Sequence, residues 1–151
     1  MNDLFFIKYI TLKYICKMRK ISTFICILLQ FLSVLYTSAD VASNVVVLND
    51  KNFLTTINEP NKIILVKFFA PWCWYCNQLA PIFEQSANEV KNRSINAILA
   101  EVDCTTQLKL CRSNEIQYFP TLKIFKKGNF ISEFRGRRNV ENIIDFVKQN
   151  L

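Results

Sequence analysis

The chain is expected to fold as an α/β sandwich: a central mixed β-sheet flanked by helices, finished by a β-hairpin and a C-terminal helix. Three observations lead there. Apolar runs of strand character alternate with stretches of helical spacing from Val45 onward, the pattern of strands joined by crossover helices. Ile63 to Phe69 is almost continuously apolar, as a strand covered on both faces should be. Two short apolar runs then flank the turn Lys126-Lys127-Gly128-Asn129 before a last amphipathic stretch, which reads as a hairpin followed by a helix.

Taken in order, Val45 to Leu48 is a short β-branched strand, and Asn49 is placed to cap a helix over Asp50 to Ile57 that carries Phe53, Leu54 and Ile57 at helical spacing. Ile63 to Phe69 is the central strand. Cys73 to Lys91 is the long helix, with Leu79, Ile82, Phe83, Ala87 and Val90 on one face and Pro81 inside it, where a kink is expected. Ala97 to Asp103 is the next strand, and Thr105 to Glu115 a short helix. Leu122 to Phe125 and Phe130 to Phe134 form the hairpin. Asn139 to Asn150 buries Val140, Ile143, Ile144 and Val147 along one stripe. The sequence contains no sign of a second domain, a repeat or a low-complexity linker, and about 110 residues suit one core.

The 151 residues are 51% hydrophobic and 21% charged, with two glycines and no histidine, a globular rather than a disordered composition. Part of the apolar excess is N-terminal. Lys17, Arg19 and Lys20 precede Ile21 to Tyr36, an apolar stretch interrupted by Ser22, Thr23, Gln30 and Ser33, and Thr37-Ser38-Ala39 supply small residues for cleavage. Residues 1–39 read as a secretory signal with a long first part, and residues 40–151 as the domain. The rival reading is an uncleaved signal anchor. Ile21 to Tyr36 is shorter than the roughly twenty residues that span a bilayer, yet Leu4 to Ile15 is apolar as well. Cleavage would remove Cys16 and Cys26 and leave four cysteines, an even number suited to an oxidising compartment.

Charge excludes little except a nucleic-acid partner. Beyond residue 39 there are fourteen basic and eleven acidic residues, a balance of +3. Lys123, Lys126, Lys127, Arg135, Arg137 and Arg138 fall on hairpin and turn positions and are expected to be solvated. Asn92-Arg93-Ser94 is the single glycosylation sequon.

The chemistry sits in Phe68-Phe69-Ala70-Pro71-Trp72-Cys73-Trp74-Tyr75-Cys76, where a strand gives way to a helix. Unpaired N–H groups and the dipole of the first helical turn favour a thiolate at Cys73. Cys76 lies about one turn on, so its sulfur can close a disulfide or resolve a mixed one. Other readings stand beside this. The pair could be half of a zinc site completed by Cys104 and Cys111, although six residues separate that second pair where a zinc knuckle has two to four. It could also be an inert structural disulfide, or Cys104 and Cys111 could be free buried thiols.

From Leu65 to Ala87 the chain reads LVKFFAPWCWYCNQLAPIFEQSA, which resembles the active-site segment of protein disulfide isomerase domains, where F-Y-A-P-W-C-G-H-C-K-x-L-A-P is typical. Val102-Asp103-Cys104-Thr105, Cys111, and Tyr118-Phe119-Pro120-Thr121-Leu122-Lys123-Ile124-Phe125 with Lys127-Gly128 match the second half of the same domains. The resemblance runs from about Val45 to the C-terminus and implies the thioredoxin fold. It implies Cys73 as nucleophile and Cys76 as resolving thiol, without a bound cofactor or metal. It implies a structural disulfide between Cys104 and Cys111, and a cis Pro120 that turns the backbone of Phe119 towards the dithiol to pair with an extended substrate. Trp72, Trp74, Tyr75 and Phe119 would form an apolar rim for unfolded segments.

Two departures from the family stand out. Trp74-Tyr75 replaces Gly-His, which removes the cation that normally stabilises the first thiolate and points to a weaker oxidant. Lys67 and Glu101 occupy positions where the family has a carboxylate and a lysine, so a buried pair appears in reversed polarity; the two are expected together beneath Cys76, with Glu101 or a neutral Lys67 serving its proton transfer, the other reading being that both side chains turn to solvent. Arg138, two residues after Gly136, matches a family arginine that swings towards the second cysteine.

The functional expectation is a thiol–disulfide oxidoreductase, or disulfide isomerase, acting on cysteine-containing folding proteins with an unidentified redox partner. The alternative is a redox-weak peptide-binding chaperone module of the same fold. The endoplasmic reticulum lumen is the expected location, with membrane contact only if the signal is uncleaved. Lys148-Gln149-Asn150-Leu151 is not a retention signal of the Lys-Asp-Glu-Leu type.

Overall fold

The computed structural model describes residues 43–151; residues 1–39, read above as a signal or anchor, lie outside the described residues with Cys16 and Cys26. In chain order the elements are β1 (Val46–Leu48), α1 (Phe53–Ile57), β2 (Ile63–Phe69), α2 (Trp74–Asn92), β3 (Ala97–Asp103), α3 (Leu108–Ser113), β4 (Thr121–Lys126), β5 (Asn129–Glu133) and α4 (Val140–Gln149). The sheet runs β1-β3-β2-β4-β5, with β1, β3 and β2 parallel and the hairpin β4-β5 joined antiparallel to β2. This is the mixed five-stranded sheet of a thioredoxin fold.

Strand alternation explains the two layers. Ile64, Val66 and Phe68 of β2 face one side, where they pack with Leu48, Ala100, Val102 and Phe125 under Phe53 and Ile57 of α1 and Leu110 of α3. Ile63 and Leu65 face the other side, with Leu99, Leu122 and Ile124, under Leu79, Phe83, Ala87 and Val90 of α2 and Ile143, Ile144 and Val147 of α4. Every residue of β2 from Ile63 to Phe68 is buried, as a doubly covered strand requires. The β2 and β3 bounds coincide with the apolar runs of the sequence. The hairpin turn tightens to Lys127 and Gly128, both at positive φ, the geometry that two-residue hairpin loops favour. The Gly128 N–H donates to the Ile57 carbonyl at 2.9 Å, and a Cβ at that position would meet the Asn58 side chain.

Three expectations need correction. The first helix begins at Phe53, not Asp50, because Asn49 and Asn52 build a turn instead: Asn52 Oδ1 accepts the Asn49 N–H at 2.7 Å, and Asn49 Oδ1 accepts the Lys51 N–H at 2.9 Å. The third helix begins at Leu108 rather than Thr105, since Asp103 Oδ1 takes up the Thr105 N–H at 2.8 Å. Lys123 is buried rather than solvated, its ammonium donating to the Asn114 carbonyl at 2.6 Å and lying 5.0 Å from the Phe130 ring centre. Asn139 is the N-cap of α4, its side chain accepting the Asn142 N–H at 2.9 Å.

Candidate functional site

Strand β2 ends at Phe69, and the backbone turns through Ala70-Pro71-Trp72 to bring Cys73 to the N-cap of α2. Cys73 is extended there, and its Sγ accepts the Cys76 N–H at 3.3 Å. A sulfur thus occupies the capping place that a hydroxyl or carboxylate oxygen usually takes, at the positive end of the helix dipole. Across the gap, the Cys73 thiol faces the Phe119 carbonyl at 3.7 Å. Both thiols are free; Cys73 retains 8% of its surface and Cys76 only 2%. Burial and the hydrogen bond with Cys73 push the Cys76 thiol up from its ordinary value to about 11, against the pull of the Ala70 backbone and the Lys67 ammonium.

The Phe119–Pro120 peptide is cis and sits opposite Cys73, at the start of β4. Trp72 leans on Phe119 edge to face, ring centres 6.2 Å apart, while Trp74 and Tyr75 pair with each other at 5.0 Å. Trp72 is 75% exposed, Trp74 64% and Tyr75 62%. Three large aromatic faces therefore stand in water around the mouth of a buried sulfur, a patch that the core does not use.

Lys67 and Glu101 meet beneath this loop. The parallel register pairs them across β2 and β3, and Lys67 Nζ lies 2.7 Å from Glu101 Oε2. Lys67 keeps 5% of its side-chain surface and Glu101 25%, so the pair is closed at the ammonium and reaches water at the carboxylate. The ammonium also sits 5.0 Å from the Phe69 ring centre and 4.9 Å from that of Phe83. The sequence marks both rings as strand and helix residues but gives neither a place in the site. The signal was there for Phe69, which shares a face of β2 with Lys67 at a spacing of two.

Arg138 Nη2 donates to the Pro120 carbonyl at 3.2 Å, so the structure brings it to the proline loop rather than to Cys76. Cys104 and Cys111 are joined by a disulfide with Cα atoms 5.7 Å apart, which takes both thiols out of any metal set. Cys104 also donates its N–H to the Phe69 carbonyl at 2.9 Å, so the bridge braces the end of β3 against the strand that leads to Cys73. Among the described residues no cluster of three or more His, Cys, Asp or Glu side chains could hold a metal ion.

Comparison with known proteins agrees with this fold. The family model described as Thioredoxin matches residues 44–149. A protein disulfide-isomerase of Aspergillus niger is 39% identical over 120 residues, covering 79% of this chain and 23% of that protein. Human protein disulfide-isomerase A4 is 41% identical over 101 residues, 67% of this chain and 15% of that one. Among solved structures, the first thioredoxin domain of mouse protein disulfide-isomerase A4 superimposes with a TM-score of 0.64 at 34% identity, covering 71% of this chain and 75% of that domain. Human ERp44 form I gives a TM-score of 0.67 at 32% identity over 72% of this chain and 29% of that one. The chain spans about a fifth of the length of the first curated relatives it matches.

Proposed function

Because the chain belongs to the thioredoxin family, with a domain of the protein disulfide isomerase kind, we propose that it is a thiol–disulfide oxidoreductase working through Cys73 and Cys76. The observation that supports this most is the pair of free sulfurs at the start of α2, one capping the helix and receiving its N–H at 3.3 Å, the other buried behind it. Cys73, as thiolate, attacks one sulfur of a substrate disulfide; the S–S bond breaks, the second substrate sulfur leaves as thiolate, and a mixed disulfide forms. Cys76 then loses its proton and attacks Cys73 Sγ, releasing the first substrate thiolate and closing the Cys73–Cys76 disulfide. Two electrons pass from the dithiol to the substrate, and the reverse sequence oxidises a substrate dithiol.

Burial holds Cys76 protonated, so the second step needs a proton acceptor. We assign that task to the Glu101 carboxylate, partly open to water, with the Lys67 ammonium stabilising the charge that develops on sulfur. Arg138 steadies the Phe119-Pro120 loop, and Trp72, Trp74, Tyr75 and Phe119 hold extended apolar segments against it. The proposed setting is the endoplasmic reticulum lumen, consistent with a formed Cys104–Cys111 bridge; the substrates are folding proteins with exposed cysteines.

The test is reduction of insulin and refolding of scrambled ribonuclease by the full chain, with Cys73→Ser as control. Turnover that disappears in Cys73→Ser supports the reading; a wild-type chain as inactive as Cys73→Ser refutes it. Suppression of aggregation that persists in Cys73→Ser without any turnover would instead establish the chaperone reading, which the exposed rim also fits.

A further inference from the structure

The loop after β5 reads Arg135-Gly136-Arg137-Arg138, three arginines in four positions, and the fold carries it to the dithiol. Phe134 donates its N–H to the Leu122 carbonyl at 2.9 Å, and Arg138 donates to the Pro120 carbonyl at 3.2 Å. The loop therefore lies against the segment whose Phe119 carbonyl is 3.7 Å from Cys73 Sγ. Trp72 thus touches Phe119, Arg138 binds the adjoining Pro120, and the Phe119 carbonyl between them faces the nucleophilic sulfur.

Glu115 and Glu133 line one pocket with Lys123 and Arg135, which leaves two arginines of the loop without an ion-pair partner among the described residues. Arg135, 81% exposed, is paired with Glu133 at 3.4 Å, and Glu133 is further engaged by the Tyr118 hydroxyl. Arg137 and Arg138 have no ion-pair partner among the described residues, and both are exposed. The first turn of α2 contains no acid. At the same end of the sheet Asp103 is occupied by the Thr105 N–H and hydroxyl at 2.8 and 2.7 Å, and Glu101 is held by Lys67. An extended segment laid along Phe119 and Pro120 thus meets aromatic surface at Trp72 and, at Pro120, the Arg138 guanidinium, with the exposed Arg137 next to it in the chain. Guanidinium forks pair with carboxylates in two-point geometry, and a like-charged segment would be repelled.

We propose that this loop makes the exchange site selective for cysteine-containing segments with Asp or Glu close to the cysteine, Arg137 being the residue that reads the charge. The proposal rests on the thiol-exchange reading for its consequence in turnover, and stands on binding alone for its charge preference.

Three peptides of one length test it, each with a central cysteine flanked by two Glu, two Gln or two Lys on either side. In the first arm the cysteine is replaced by serine, and binding to the full chain is read from the fluorescence of Trp72 and Trp74, its two tryptophans. In the second arm each peptide is presented as its mixed disulfide with 2-mercaptoethanol, a neutral leaving thiol, to the prereduced chain in a single turnover. The Glu peptide is expected to bind about five-fold or more tighter than the Lys peptide at low salt, the effect of one or two exposed charge pairs, with the preference fading as salt screens it. Arg137→Glu should bring the ratio to one or invert it. Lys127→Asn, on the hairpin turn about 20 Å along β4 from the site, should leave the ratio unchanged. Because each ratio is taken within one protein, a loss of folded material divides out. Equal binding of the three peptides by the wild-type chain, or a preference that survives Arg137→Glu, overturns the proposal. Absence of turnover with a clear binding ratio would overturn the exchange reading and leave the charge preference standing.

Discussion

The reversed pair gives the sharpest energetic prediction, because its two ends are unequally buried. Replacing Glu101 with Gln leaves the Lys67 ammonium, 5% exposed, without its counter-charge at 2.7 Å. Breaking a buried pair from one side costs about 3–5 kcal/mol. Two features reduce this: the Gln oxygen can still accept a hydrogen bond, and the Phe69 and Phe83 rings at 5.0 and 4.9 Å remain over the ammonium, each worth about 0.5–1 kcal/mol. The expected loss for Glu101→Gln is therefore about 2–3 kcal/mol. Lys67→Met leaves the less costly orphan, since the Glu101 carboxylate keeps 25% of its surface and can turn to water. The thioether chain also fills the space between the rings, so about 1–2 kcal/mol is expected. In Lys67→Met/Glu101→Leu no charge remains to be desolvated, and stability should return to within about 1 kcal/mol of the wild type. Urea unfolding of the reduced protein, followed by far-ultraviolet circular dichroism, measures all four corners of the cycle. The reasoning fails if Lys67→Met costs more than Glu101→Gln, or if the two losses simply add in the double variant.

Three further outcomes follow from the site. The Cys76 thiol, raised to about 11 from 9.0, ties stability to pH: its raised value means the folded state holds a proton that the unfolded state gives up first. The reduced protein should keep this contribution below pH 9 and lose about 2–3 kcal/mol as pH climbs from 9 towards 11, a slope absent from the Cys73–Cys76 oxidised form and from Cys76→Ala in denaturant titrations. Replacing Trp74 by Gly and Tyr75 by His should make the dithiol more oxidising by about 30 mV or more in glutathione equilibration, as an imidazolium stabilises the reduced form; an unchanged or more reducing potential would contradict that account. Cys104→Ser with Cys111→Ser opens a bridge spanning a separation of 7 residues and should cost about 2.5 kcal/mol in urea unfolding from loop entropy, without abolishing insulin reduction.

How far the sequence could be read depended on whether the deciding interaction was local. Lys67 is the fifth residue of β2 and Glu101 the fifth of β3, so two parallel strands that start level at Ile63 and Ala97 had to bring them side by side. The apolar runs already marked both strand starts. The first turns expected for α1 and α3 were lost to side chains that compete with helical hydrogen bonds, namely Asn49 with Asn52 and Asp103 with Thr105; residue spacing alone carries no information on that competition. Lys123 was misread because its partner, the Asn114 carbonyl, comes from a loop that only the tertiary fold lays over β4. Arg138 shows the same limit in the functional site. Its number places it near the dithiol, but not on which group it acts. Its hydrogen bond to the Pro120 carbonyl at 3.2 Å couples it first to the loop that faces Cys73. Any excursion towards Cys76 must give up that bond, worth about 1.5 kcal/mol for a charged donor at a partly open position. Its influence on the resolving thiol would then be transient, while its influence on where a substrate lies would be constant.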